Sequence, residues 1–393
     1  MKHQQHSKLT KPYKGVYGQH EISILGSNCH RIGKLARMIA EEISDLCDAA
    51  YIDADHKSPL NEETTPSVFS WEFTNKISYH RLDVSAGVSD FERSAMFNAS
   101  HLTMVNGNHE KGMHQLVIID PSKEAKLEKR KEQLTHVIGL VSLETTPSPK
   151  LRSTKEGEEE KGELPEYIKE LIPNYKELPV VTIDDRAGMK KLVANFLIDR
   201  LPKIKGLILG GGKSTRMGVD KAFLDYHGKP QHLYLKEELA ELCEATYVSC
   251  REEQAELFPT ALPDTFLHLG AYGGILSAFQ QDPNAAWFSV ACDVPLLNKS
   301  TLEKLVAQRD PSKLATCFYN SETGFPEPLI TIWEPRAYPV LLHYMSMGYS
   351  CARKVLINND VKVVKLENEE VLLNANTMDE REKALGMLQK SQL

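Results

Sequence analysis

From residue 21 onward the chain alternates short apolar runs with helix-spaced amphipathic segments, and this alternation leaves little choice of architecture. Parallel strands need long crossover connections, and helices normally supply them, so the pattern predicts doubly wound α/β units around mostly parallel sheets. The runs EISILG (21–26), AAYIDA (49–54), HLTMVNG (101–107), HQLVIID (114–120), HVIGLVSL (136–143) and LPVVTID (178–184) read as strands. GKLARMIAEEISDLC (33–47) carries apolar residues at helical spacing, and a further helix is expected over about 186–200. Leu201-Pro202-Lys203 marks a boundary, because proline discourages a helix from continuing through the residue before it. The alternation then restarts with strand GLILG, helix QHLYLKEELAEL, strand ATYVSC, helix GGILSAFQQ and strand WFSVA. Two α/β domains, 21–201 and 203–393, are therefore expected behind a tail, 1–20. The stretch 144–166 is rich in Pro, Gly and charge with almost no large apolar residue, so a solvated loop or disordered insertion is expected there.

A chain of 393 residues, 41% hydrophobic and 26% charged, has material for real cores. Its formal net charge of −7 argues against nucleic acid as a partner, which would favour a basic surface. The 7 cysteines are scattered, odd in number and never spaced CxxC, the usage of reduced thiols rather than of a disulfide framework or zinc site. The N-terminal MKHQQHSKLTKPYKG has no apolar core segment, and no run approaches the roughly 18 apolar residues that span a bilayer. A cytoplasmic protein with no membrane partner is expected.

KGLILGGGKSTRMGVDKAFLDYHGKP (205–230) spells Gly-Lys-Ser, yet it is not a Walker loop. That motif needs a glycine five positions before Gly212; Leu207 stands there, inside an apolar run that reads as strand. Instead a strand runs into Gly210-Gly211-Gly212, where missing side chains let backbone N–H groups approach phosphate oxygens. Lys213, Arg216 and Lys221 add positive charge within the same loop. The carboxyl end of a first strand is where a doubly wound domain binds nucleotide. Glycines alone would read equally well as a tight turn. In WFSVA-CDVP, Asp293 follows a strand at the same edge and is the natural anchor for a hard dication such as Mg²⁺; alone it would read equally as a turn or helix-capping residue.

Together these residues resemble the molybdenum cofactor guanylyltransferase family over roughly 204–390. The signature LAGG-x3-RMG-x-DK-x-L-x4-GKP appears as LGGGKSTRMGVDKAFLDYHGKP, and CD-x-P as Cys292-Asp293-Val294-Pro295. Leu262-Pro263-Asp264, Gly273-Gly274-Ile275-Leu276, Phe325-Pro326-Glu327-Pro328-Leu329 and Asn374-Ala375-Asn376-Thr377 match further motifs in order. The resemblance implies a Rossmann-like nucleotidyltransferase that joins GTP to molybdopterin carrying molybdenum, giving the guanine dinucleotide cofactor and pyrophosphate. By the match, Leu209, Gly210, Gly211 and Gly212 contact the nucleotide, Lys221 neutralises phosphate charge, Asp264 contacts the nucleoside and Asp293 holds Mg²⁺. Arg216 and Lys213 are implied triphosphate partners, and Asn374 and Asn376 close the site. The family usually has alanine at 210 and often asparagine near Cys250, and Gly211 is what favours GTP over CTP. Apo-molybdoenzymes or their chaperones are the implied recipients.

In the first domain, Asn28-Cys29-His30-Arg31-Ile32-Gly33-Lys34-Leu35 lies between strand and helix as a Walker loop does. Asparagine replaces its first glycine and leucine its metal-binding hydroxyl residue. The domain resembles the small GTP-binding adaptor of molybdopterin-guanine dinucleotide synthesis, with Asn106 where that family has an acid. The two losses point to a degenerate P-loop-like scaffold or cofactor-handling module rather than an active NTPase. His56, His101, His109 and His114 have no metal-ligand spacing. Two other readings stand beside a fused guanylyltransferase: a cytidylyl- or sugar-nucleotidyltransferase on the same fold, and a non-catalytic molybdopterin carrier. Lys221 and Asp293 favour catalysis, since a carrier needs neither metal nor triphosphate charge.

Overall fold

The computed structural model describes residues 8–54, 68–143, 164–210 and 220–391. The chain divides into two compact units, Lys14–Arg200 and Leu201–Leu393 together with Met1–Tyr13. Most of the segment expected to be a charged insertion, and His56, lie outside the described residues.

In the first unit the strands are β1 (His20–Leu25), β2 (Ala49–Ile52), β3 (Trp71–Asn75), β4 (His80–Val84), β5 (Leu102–Asn106), β6 (His114–Ile119), β7 (Val137–Ser142) and β8 (Val180–Thr182). Six of them form one sheet in the order β2-β5-β1-β6-β7-β8, with every pairing parallel. The remaining two, β3 and β4, pair as an antiparallel hairpin that the sequence reading did not anticipate. Its Trp71↔Val84 and Phe73↔Leu82 pairs carry the aromatic and branched residues that suit a pleated surface.

The helix expected over 33–47 instead spans Cys29–Glu42. Asn28 caps it, accepting a hydrogen bond from Arg31 N at 2.9 Å, and that cap draws residues 29–32 into the first turn. Gly33 and Lys34 thus fall in the second turn, and Leu35 is 2% exposed in the core with Ile32, Ala36 and Ile39. The helix Arg186–Ile198 begins at Asp185, whose carboxylate caps Gly188 N at 2.8 Å, and buries Met189, Leu192, Val193, Phe196 and Leu197. His101 and His114 are both buried, and burial pushes the His114 imidazole down to about 4. Its Nδ1 lies 3.2 Å from the Glu21 carbonyl, and Arg200 Nε donates to its Nε2 at 3.2 Å.

The second unit contains β9 (Ile204–Leu209), β10 (Thr246–Cys250), β11 (Ala261–Pro263), β12 (Ala286–Ala291), β13 (Ala315–Asn320), β14 (Phe325–Trp333) and β15 (Lys362–Val364). They form one sheet in the order β11-β10-β9-β12-β14-β13-β15. Only β14 runs antiparallel to its neighbours. Both faces are covered, so successive residues serve different cores and the strands read as unbroken apolar runs. On one side Ile208, Phe288 and Val290 pack with Leu235, Leu239, Leu302 and Leu305 from helices Gln231–Leu239 and Lys299–Ala307. On the other, Leu207, Trp287 and Trp333 pack with Tyr272, Ile275 and Phe279 of helix Ala271–Gln281. Each unit is thus a mixed α/β fold around a mostly parallel sheet. Among the described residues no helix is long and apolar enough to cross a membrane.

Candidate active site

Strand order locates the site. In the second sheet β9 is flanked by β10 and β12, the connections diverge to either side of it, and ligands bind at the carboxyl ends of strands at such a switch point. Register brings Leu209 level with Ser249 and Ala291, so Gly210, Asp264 and Asp293, each just past a strand end, share that edge.

Gly210 continues β9 with its N–H donated to the Ser249 carbonyl at 3.1 Å. A Cβ there would meet Val248 Cγ1 at 3.1 Å and Ala222 Cβ at 3.4 Å, so the neighbours are already close around this backbone. Gly211, Gly212, Lys213 and Arg216 lie outside the described residues. The chain resumes at Asp220, which caps the single turn Lys221–Phe223 by accepting from Ala222 N at 3.0 Å and also takes Gln254 Nε2 at 2.6 Å. This turn fixes Lys221.

Lys221 Nζ lies 3.3 Å from Asp293 Oδ2 and donates as well to Asn376 Oδ1. Both members of the Lys221–Asp293 pair are partly buried. Asp293 Oδ1 is buried and has no hydrogen-bond partner among the described residues. A buried carboxylate oxygen without a partner is costly unless something cationic completes it. The segment carrying Asn376 is tied down beside it: Ala375 N donates to the Asp293 carbonyl at 2.7 Å. Glu380 accepts from Asn376 N at 2.7 Å and Thr377 N at 2.9 Å, and those bonds hold its carboxyl below the usual range. Asn376 thus joins the pair from more than 150 positions along the chain from Lys221.

Asp264 follows β11 and accepts from Ser249 Oγ at 2.7 Å. Burial pushes its carboxyl up to about 6, against the pull of that hydrogen bond. Cys250 is fully buried, and burial pushes its thiol up to about 11. Helix Ala271–Gln281 closes in on this corner through two glycines: a Cβ on Gly274 would lie 2.3 Å from Ser249 Oγ, and one on Gly273 2.2 Å from the Phe266 carbonyl oxygen. The helix enters through Gly270 at φ +56, a conformation that glycine adopts freely.

Two further residues lie close and received no role from the sequence. Glu327 on β14 is 4% exposed, accepts from Leu329 N at 3.2 Å and Asn320 Nδ2 at 3.4 Å, and its carboxyl is pushed up chiefly by burial. The Asp293 charge adds to that rise and Arg353 opposes it. Tyr226 is also raised by burial, with the Arg381 guanidinium 5.9 Å from its ring centroid and lowering it. A charged residue inside a matched motif, such as Glu327 in FPEPL, is the signal that could have singled it out.

Among the described residues no group of three or more His, Cys, Asp or Glu could hold a metal ion. Mg²⁺ is often held by one or two carboxylates plus substrate phosphates, and the unpartnered Oδ1 of Asp293 fits that arrangement.

Comparisons with known proteins concern this same unit. The MobA-like NTP transferase domain matches residues 206–363. A "Molybdenum cofactor biosynthesis bifunctional protein" of Synechocystis sp. is 37% identical over 180 residues, 44% of this chain and 52% of that protein, so the chain spans about half its length. A "Probable molybdenum cofactor guanylyltransferase" of Carboxydothermus hydrogenoformans is 31% identical over 186 residues, 45% of this chain and 93% of that protein. The solved "Molybdopterin-guanine dinucleotide biosynthesis protein A" from Archaeoglobus fulgidus aligns with a TM-score of 0.41 at 20% identity, covering 48% of this chain and 99% of that one. The second unit is therefore an enzyme of the nucleotidyltransferase class. More narrowly, the chain belongs to the molybdenum cofactor guanylyltransferase family.

Proposed function

We propose that the second unit transfers GMP from GTP to molybdenum-bearing molybdopterin, releasing pyrophosphate. The observation that carries this reading is the Lys221–Asp293 pair at the switch-point edge, with one buried Asp293 oxygen that has no partner among the described residues and suits a cation. In the reaction, a terminal phosphate oxygen of the pterin attacks the α-phosphorus of GTP and the bond to the departing pyrophosphate breaks. The protein's share is positioning and charge stabilisation. Lys221 Nζ neutralises charge building on the α-phosphate, and Asn376 keeps that ammonium aimed. Asp264 receives the nucleoside, while Leu209 and Gly210 set the backbone approach. Gly211, Gly212, Lys213 and Arg216 complete the triphosphate cradle. Asp293 would hold Mg²⁺, which when bound would supply further charge neutralisation to the triphosphate. The first unit acts as an adaptor that handles the pterin or passes the product to apo-molybdoenzymes or their chaperones, in the cytoplasm.

The test is pyrophosphate release from GTP, CTP, ATP and UTP, each with Mg²⁺ and molybdopterin. Release from GTP alone, dependent on molybdopterin, is expected. Preference for CTP, or release that ignores the pterin, contradicts the reading.

A further inference from the structure

The first unit brings together a cysteine, a histidine and a carboxylate that the transfer reaction does not use. Cys29 opens the 14-residue helix Cys29–Glu42 at the carboxyl edge of its sheet and is partly exposed. The thiol lies 3.1 Å from His109 Nε2, and Asn108 Nδ2 approaches the same sulfur at 3.6 Å. His109 sits in a turn closed by bonds from His109 N and Glu110 N to the Asn106 carbonyl at 3.0 and 3.1 Å. Asp53, just past β2, lies 3.9 Å from that same imidazole nitrogen. Its two oxygens are held by Asn106 Nδ2 at 2.7 Å and Tyr51 OH at 2.8 Å. Three strand ends thus converge on one thiol.

We propose that Cys29, His109 and Asp53 form a second, nucleophilic centre that accepts acyl groups from activated esters or thioesters. A thiol within hydrogen-bond reach of an imidazole is the arrangement that general-base activation of a nucleophile requires. As Cys29 Sγ bonds to the acyl carbon, its proton passes to His109 Nε2. Collapse of the adduct breaks the bond to the leaving oxygen or sulfur, which takes that proton. Water then attacks the thioester with His109 as base, the acid departs and the thiol regains its proton. Asp53 faces the nitrogen that becomes charged, so it acts through its charge on the imidazolium and is a positioning residue. The N–H groups of Cys29 and His30 lie in the first turn, where a helix supplies no intrahelical acceptor, and in the proposed step they meet the developing oxyanion. The centre occupies the edge where a phosphate loop would lie, and the Asn28 cap, by starting the helix at Cys29, puts the thiol there.

The test uses the full chain and p-nitrophenyl acetate. A burst of one nitrophenolate per chain is expected, with the acetyl group located on Cys29 by peptide mass spectrometry. Cys29→Ala abolishes the burst, and His109→Gln slows it by on the order of 10²-fold or more while leaving the melting temperature unchanged. Exposed Cys351 is the internal reference. Acetylation of Cys351 as fast as Cys29, an undiminished burst in Cys29→Ala, or an unaltered rate in a folded His109→Gln protein overturns the proposal.

Discussion

At the scale of single residues the proposed chemistry rests on Asp293, which gives one oxygen to Lys221 and keeps the other buried and without a partner among the described residues. Asp293→Asn preserves the shape and removes the charge. It should fold normally yet lose transfer by on the order of 10²-fold or more, read as pyrophosphate release. Lys221→Ala should cost a comparable factor, whereas Lys155→Ala, far away in sequence within the charge-rich segment, should leave the rate unchanged. Asp264 gives a pH signature. Burial raises its pKa to about 6, so the carboxylate that would receive the nucleoside is present above that pH and is lost as pH falls through it. The apparent KM for GTP should therefore rise as the pH drops through about 6, and Asp264→Asn, neutral throughout, should flatten that dependence. A KM with the same pH profile in both proteins would remove Asp264 from the nucleotide site.

At the scale of elements, helix Ala271–Gln281 is held against the strand ends because Gly273 and Gly274 have no side chains. Gly274→Ala drives a methyl against Ser249 Oγ and should cost about 1–3 kcal/mol, seen as a lowered melting temperature, while displacing the Ser249–Asp264 bond. Gly386, in helix Met378–Ser391, has nothing within 4 Å of an added Cβ. Gly386→Ala should instead stabilise by about 0.5–1 kcal/mol. These elements were readable in the sequence to different degrees. Buried parallel strands such as β1, β6, β9 and β12 announce themselves as apolar runs; Asp293 drew attention by following such a run, and Lys221 by its charge in the loop after the glycines. The boundaries of the first helix were not, since the apolar spacing of 33–47 outweighed the cap that Asn28 supplies. The hairpin β3–β4 went unseen. The partners of Lys221 and Asp264 could not be counted out along the chain, because Asn376 and Ser249 reach them only through tertiary packing. The cysteine at the head of the first helix looked like any reduced thiol until the turn after β5 set His109 beside it.

For the whole molecule, the two units each have their own sheet and their own buried core. The transfer machinery named above lies entirely in the second. On the proposed function this unit carries guanylyl transfer by itself, with any contribution from the first confined to capturing the pterin or passing on the product. The direct measurement is pyrophosphate release by residues 14–200 and residues 201–393, assayed separately against the full chain with GTP, Mg²⁺ and molybdopterin. Residues 201–393 should retain transfer at saturating molybdopterin, with any deficit confined to the KM for the pterin, and 14–200 should release neither pyrophosphate nor phosphate. A folded but inert 201–393, or robust GTP hydrolysis by 14–200, would contradict this reading.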